Sequence, residues 1–348
     1  MNGRLLFAAV LVVLGAERVD AQLSPVGDKQ SNMFQESSTI AFGTPTGKRL
    51  LFEARPALHL YALNQFGDQV WQKTGTRDSK GWLPKRVAMA TGFSFLPEMR
   101  MSTDRSSPVR TPSYRIRATH QVLWMQRNPI ADNLKYTVQG FKLTAFGHYS
   151  NGQSGCRLRG FAYAAAANGD SVCAVSNATV AARREVNIDN GDFSTSYFAL
   201  AFDRRTGRIR DVTGPMMSSR EWGAEYQVHP LGLQPGGTDR DQATAYGTHE
   251  VVGRYAQESR HAVNRRAAGV FRWSVMGVLR FGPDATPLQR VETEVSYLFD
   301  HLATFGFFVR HHAGFDYYNI RYFDRKPFVS VGFKFDPGRL DLVATDVR

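Results

Sequence analysis

Between Arg290 and Tyr297 the chain alternates residue by residue. Val291, Thr293, Val295, Tyr297 and Phe299 take one parity, and Arg290, Glu292, Glu294 and Ser296 take the other. Successive side chains of a strand point to opposite faces, so this segment lies as a strand with one oily and one charged side. Wound as a helix, the same residues would scatter charge around the whole surface. The pattern recurs in Phe271, Trp273, Val275, Leu279 and Phe281 against Arg272, Ser274 and Arg280, and in Val329, Val331, Phe333 and Phe335 against Ser330, Gly332 and Lys334. These segments run to about ten residues, the length of a tilted strand that crosses a bilayer. Strands of a soluble sandwich are commonly about five to six residues long.

The sequence is 43% hydrophobic, yet no run beyond the first 21 residues approaches the roughly 20 apolar residues a membrane helix needs. The fold class expected is therefore all-β, a transmembrane antiparallel β-barrel of about 12 strands. Candidate strands fall near 48–62, 86–101, 113–126, 134–150, 193–204, 219–230, 247–258, 268–282, 288–300, 303–314 and 327–336, with one element split or missed. Aromatic residues gather at segment ends, Tyr297 with Phe299 and Phe315 with Tyr317 and Tyr318, where interfacial girdles belong. The short link from Gly282 to Pro287 suits a periplasmic turn.

Residues 1–21 read as an export signal, with Arg4 at the start, an apolar stretch from Leu5 to Leu14 and the small-residue site Val19-Asp20-Ala21. Residues 22–47, rich in Ser, Gly, Gln and Thr, are expected to form a poorly ordered leader, 48–337 the barrel domain and 338–348 a C-terminal tail. The net charge of +12 would suit nucleic acid, but the basic residues are interleaved with apolar ones and make no binding module, so no nucleic-acid partner is expected. Export and barrel pattern together point to the bacterial cell outer membrane. Cys156 and Cys173, the only cysteines, share the long connection after residue 150 and are expected to form a disulfide.

One stretch carries chemistry: Phe146-Gly147-His148-Tyr149-Ser150-Asn151-Gly152. Residues i and i+2 of a strand share a face, so a base and a nucleophile would lie side by side, with Asn-Gly turning the chain behind them. A serine hydroxyl is a weak nucleophile that needs such a base, and a third group to orient the imidazole. Parity alone leaves the lipid side open, because Lys142 shares the parity of His148.

The stretch resembles the His-x-Ser-Asn-Gly signature of the outer-membrane phospholipase A family, calcium-dependent barrel esterases. Ser106-Ser107-Pro108-Val109-Arg110 with Tyr114 resembles the family's calcium loop, and the segment from Tyr318 to Phe335 its closing hairpin. The resemblance implies hydrolysis of acyl ester bonds of membrane phospholipids by an active homodimer. It makes His148 the general base and Ser150 the nucleophile. Ser194 stands where the family has an orienting asparagine; a one-hairpin shift would put Ser196 there, and Asn190 shares the parity. A calcium ion, Ca2+, would be held by the backbone carbonyl of Gln153, an oxygen of Asn190 and a serine, Ser106 or Ser107, across the dimer interface. Ser194, Ser196, Phe198, Leu200 and Phe202 share one face, the lipid-facing one by their apolar members. The alternatives are a barrel lipid A deacylase and an inactive barrel acting as a porin or structural protein.

Overall fold

In the computed structural model the described residues are 36–44, 50–64, 86–102, 109–130, 133–153, 155, 156, 158–165, 171–176, 179, 187, 191–209, 216–233, 237, 238, 240–263, 266–282, 285–299, 305–315 and 327–336. The segments 1–21 and 338–348, assigned above to an export signal and a tail, lie outside them.

A sheet edge left open in lipid strands its backbone N–H and C=O groups, so a membrane sheet must close on itself. The wall begins with β1 (Ser38–Thr44), β2 (Leu50–Arg55), β3 (Leu58–Asn64), β4 (Arg86–Ser102), β5 (Val109–Ile130) and β6 (Asn133–Ser150). A separate hairpin of β7 (Phe161–Ala165) and β8 (Ser171–Val175) interrupts it. It resumes with β9 (Ser194–Ile209), β10 (Met216–Val228), β11 (His249–Val263), β12 (Arg266–Gly282), β13 (Ala285–Phe299), β14 (Phe305–Gly314) and β15 (Phe328–Phe335). A short helix, α1 (Arg240–Tyr246), lies between β10 and β11.

Neighbouring wall strands are antiparallel, and the ring closes where β1 pairs with both β15 and β2. Strands β2 and β3 both pair with β4, as one wall strand broken after Arg55. Pro56 sits in the break, where its missing N–H cannot interrupt a ladder. Among the described residues the wall therefore has twelve strands. The one not foreseen is β1, which corrects the assignment of residues 22–47 to a poorly ordered leader at least for Ser38–Thr44. Its alternation is weak, with Ile40 and Phe42 outside against Thr39 and Ala41 inside, and β15 supplies the partner that makes it a strand.

The two faces of the wall meet different solvents. Phe93, Ile116, Leu200, Trp222, Val295 and Phe307 lie on the outside and are exposed, as a lipid-facing wall requires. The inside is charged and paired. Glu53 meets Arg100 at 2.6 Å and Arg55 at 2.7 Å, Arg254 makes two bonds to Asp203 at 2.8 and 2.7 Å, and Glu294 holds Arg310 at 2.8 Å and Lys334 at 2.7 Å. Arg205 is paired with Glu258. Charges this deep are tolerated only in such pairs.

At the rim that carries the long connection from β6 to β9, an aromatic cluster fills the interior. Tyr149 meets Phe193 edge-on at 5.2 Å, Phe193 meets Tyr246 of α1 at 5.4 Å, and Tyr197 and Phe315 join them. Phe315 is thus no part of an outer girdle. Gly314, at a φ of 110°, turns the chain inward, and His312 Nε2 lies 3.1 Å from the Phe315 carbonyl. Tyr317 and Tyr318 lie outside the described residues. The link from Gly282 to Pro287 is at this same rim, since β12 runs parallel to β6, and so it is not a turn of the opposite rim as expected. A tight hairpin needs only two strands of matching length and is equally admissible at either end.

The inside pairs give a stability prediction. Glu258→Ala leaves Arg205 and Arg272 to the more distant carboxylates of Glu221 and Asp336, and should destabilise the barrel by up to about 3 kcal/mol. A lower urea midpoint for unfolding from vesicles checks it, with Val295→Leu on the outer face as the control that stays near the parent value.

Candidate active site

Strand β6 carries one residue too many. Against β5 the register runs Ala118 with Phe146 and then Thr119 with Thr144, and against β9 it runs Thr144 with Ala199 and then Gly147 with Tyr197. Both neighbours skip a place at Ala145 and Phe146, which is a β-bulge. Below it Phe141 and Leu143 face out while Lys142 and Thr144 are buried inside. Above it the parity is reversed, with Gly147 and Tyr149 inside and Phe146, His148 and Ser150 on the outer wall. The bulge corrects the parity drawn from the sequence. Lys142 pairs inward with Glu225 at 3.4 Å although it lies an even number of places from His148, and Thr144 does not share the face of His148.

On the outer wall His148 is flanked by Ile116 of β5 and Ser196 of β9, and Ser150 by Tyr114 and Ser194. The contact to the imidazole comes from Ser196, whose Oγ is 3.1 Å from His148 Nδ1 and whose side chain is buried. The structure therefore brings Ser196, not Ser194, against the imidazole, while Ser194 stands opposite Ser150. In the tautomer whose Nδ1–H donates to Ser196, the ring's other nitrogen, Nε2, is the acceptor. Phe146 stacks beside the His148 ring with centroids 6.4 Å apart.

Gly147 is required here by space. A Cβ at this position would overlap the ring of Tyr197, which lies against the inner side of the backbone next to His148. Asn151, read from the sequence only as a turn residue, is buried and does more. Its Oδ1 accepts from the backbone N–H of Gln153 at 3.2 Å and of Phe193 at 2.9 Å, and its Nδ2 donates to the Gly191 carbonyl at 2.8 Å. Gly152 completes the turn at a φ of 64°. The signal that could have found this role is the pairing of Asn-Gly with a long connection that must be fastened where it starts.

Asn151 thus draws together Gln153 and the segment at Gly191, and Asp192 N–H donates to the Gly155 carbonyl at 2.7 Å. Ser106 and Asn190, two of the expected calcium ligands, lie outside the described residues. Among the described residues no three His, Cys, Asp or Glu side chains gather as a metal site. The oxygens fixed there, Asn151 Oδ1 and the Gly155 and Gly191 carbonyls, already accept from N–H groups, so of the expected calcium ligands only Gln153 is among the described residues. Cys156 and Cys173 are disulfide-bonded with Cα atoms 5.7 Å apart, which ties β8 to the root of the loop.

A histidine meeting a hydroxyl is not in itself rare in this wall. His120 Nδ1 lies 2.8 Å from Thr91 Oγ1, and His59 Nδ1 lies 2.9 Å from Ser94 Oγ. What distinguishes His148 is that its own strand presents a second hydroxyl, Ser150, on the same outward face beside the rim.

A closed antiparallel ring with an oily outer wall and a paired, charged interior is an outer-membrane β-barrel. No family model and no curated protein matches the chain. Among solved structures it is similar to outer membrane phospholipase A from Escherichia coli, at 12% identity over 92% of this chain and 96% of that one, with a TM-score of 0.42. It is also similar to the outer membrane phospholipase dimer of Salmonella typhi with bound calcium, at 13% identity over 90% and 100% of the two chains, TM-score 0.38. The beta domain of the Bordetella autotransporter BrkA is similar at 10% identity over 86% and 96%, TM-score 0.35.

Asn151→Ala should free two backbone donors and one carbonyl at the root of the loop, each buried partner lost costing about 1–3 kcal/mol. Limited proteolysis should then cut within residues 151–193 at protease levels that leave the parent intact, while the barrel itself stays resistant.

Proposed function

We propose that this outer-membrane barrel hydrolyses acyl ester bonds of phospholipids at the outer wall, with Ser150 as nucleophile and His148 as general base. The observation that carries the proposal is the outward-facing pair on β6 with Ser196 Oγ 3.1 Å from His148 Nδ1. A lipid substrate reaches only the outer wall, and that is the face on which both side chains lie.

In this reading the imidazole, with Nδ1 against Ser196, takes the Ser150 proton at Nε2 as Oγ attacks the ester carbonyl, and returns it to the departing lysolipid oxygen. Water then repeats the sequence on the acyl-serine. The backbone N–H groups of a ladder strand are already committed, so the oxyanion needs another positive partner. Calcium bound at Gln153 and Asn190, with Ser106 from a second copy of the chain, would supply that charge. A serine hydroxyl accepts the imidazole proton less strongly than an amide oxygen, so turnover by this pair is expected to be modest.

The porin alternative would use the interior, where a cavity of about 420 Å³ is lined by charged residues including Lys142, Glu225, Arg254 and Glu294, and it predicts ion conductance with no release of fatty acid.

Phospholipid vesicles carrying the purified protein should release fatty acid when calcium is present and stop when it is chelated. Ser150→Ala and His148→Ala should fall to background, and Ser196→Ala should lose about tenfold in kcat, the scale of one misoriented base. Ser194→Ala should lose less. Turnover that survives Ser150→Ala would remove the nucleophile, and turnover indifferent to chelation would remove the calcium.

A further inference from the structure

The ladder between β9 and β10 ends at Phe198 and Val228, two residues short of Ser196. Residues 194–197 of β9 are thus paired with β6 on one side and extend past the end of the β10 ladder on the other. That stretch carries the hydroxyl that meets His148. What lies against it on the β10 side is a buried side-chain cluster on the inner face.

Thr195 stands between the two outward serines and points inward, with no exposure. Its Oγ1 is 2.8 Å from His229 Nδ1 and 2.5 Å from Thr238 Oγ1. His229 directly follows β10, and its backbone N–H donates to the Thr248 carbonyl at 2.8 Å. Thr238 is fixed in turn, its carbonyl accepting from Gly232 N–H at 3.0 Å. The His229 ring packs on Tyr197 with centroids 5.2 Å apart, and Tyr197 fills the space over Gly147, the neighbour of His148.

We propose that Thr195, His229 and Thr238 are positioning residues, an internal brace that takes the place of the missing β10 ladder and fixes Ser196, and through it His148, from behind. The inference rests on the proposed roles of His148 and Ser196. The fold places the link between β10 and β11 in the same brace, since it supplies both His229 and Thr238. Three residues that touch no substrate thereby set the direction in which the imidazole points. Burial, then Arg280, Arg115 and His249, hold the His229 ring well below the usual imidazole range, which keeps it neutral; Tyr197 is the titratable group packed on its face. A neutral ring can either donate to or accept from the Thr195 hydroxyl.

Thr195→Val removes the hydroxyl and keeps the shape, and Thr195→Ser keeps the hydroxyl. The brace predicts about a tenfold loss of kcat with KM unchanged for Val and recovery to within about twofold of the parent for Ser, the scale on which small misplacements act. It also predicts that the His148 ring signals in nitrogen–proton spectra of the micelle-bound protein move in the Val variant and not in the Ser variant. The heat-resistant barrel band on gels should be unchanged in both; if Val fails to give it, Thr238→Val is read in the same way. Parent kcat together with unmoved His148 signals in the Val variant would overturn the brace, and so would a Ser variant that behaves like Val. Should the parent itself release no fatty acid, the hydrolytic reading fails while the spectra still decide the brace: moved signals uphold it and unmoved signals overturn it.

Discussion

A single extra residue in β6 lets Lys142 and His148, which share parity in the sequence, face opposite sides of a wall one strand thick. Without the bulge at Ala145 and Phe146, a strand that buried Lys142 against Glu225 would also turn His148 and Ser150 into the interior. A strand that exposed His148 would push an ammonium into lipid, at about 2–4 kcal/mol near the midplane. Both neighbours of β6 shift register at the same place, so the irregularity belongs to β6 alone. It converts one strand into two halves, a lower half whose Lys142 faces the interior and an upper half whose His148 and Ser150 face outward.

The halves are held by different forces. Below the bulge Lys142 joins the ion-pair network inside the ring, between Glu225 and Glu36. Above it the site is supported from the inside by aromatic packing and hydroxyl contacts, Tyr197 on Gly147 and Thr195 on His229, and at the rim by the three hydrogen bonds of Asn151.

Much of the fold was legible because lipid outside and charge inside force strict alternation along each strand. The segments at Arg290–Tyr297 and Phe271–Val275 show it residue by residue, and their strands formed as expected. Strand β1 was missed because Ile40 and Phe42 are too few to announce a period among serines, threonines and glycines. Phe315 was misplaced because a turn at positive φ, not parity, decides where it goes. In the site, the His148 and Ser150 spacing and the disulfide were readable from short-range sequence alone. Which of Ser194 and Ser196 meets His148 was not, since it depends on how β6 and β9 align across the 43 residues between them and past a bulge that no residue type marks. Asn151 and Thr195 act through contacts to distant backbone and to His229, and such partners are visible only once the ring has closed.

The central claim is that an outward-facing Ser150 is activated by His148. The most direct measurement is covalent capture in the bilayer. A lipid-chain fluorophosphonate added to the vesicle-embedded protein, followed by peptide mass mapping, should place its adduct on Ser150 in the parent and leave His148→Ala unlabelled. An adduct on another serine, or equal labelling of Ser150 when His148 is gone, would contradict it.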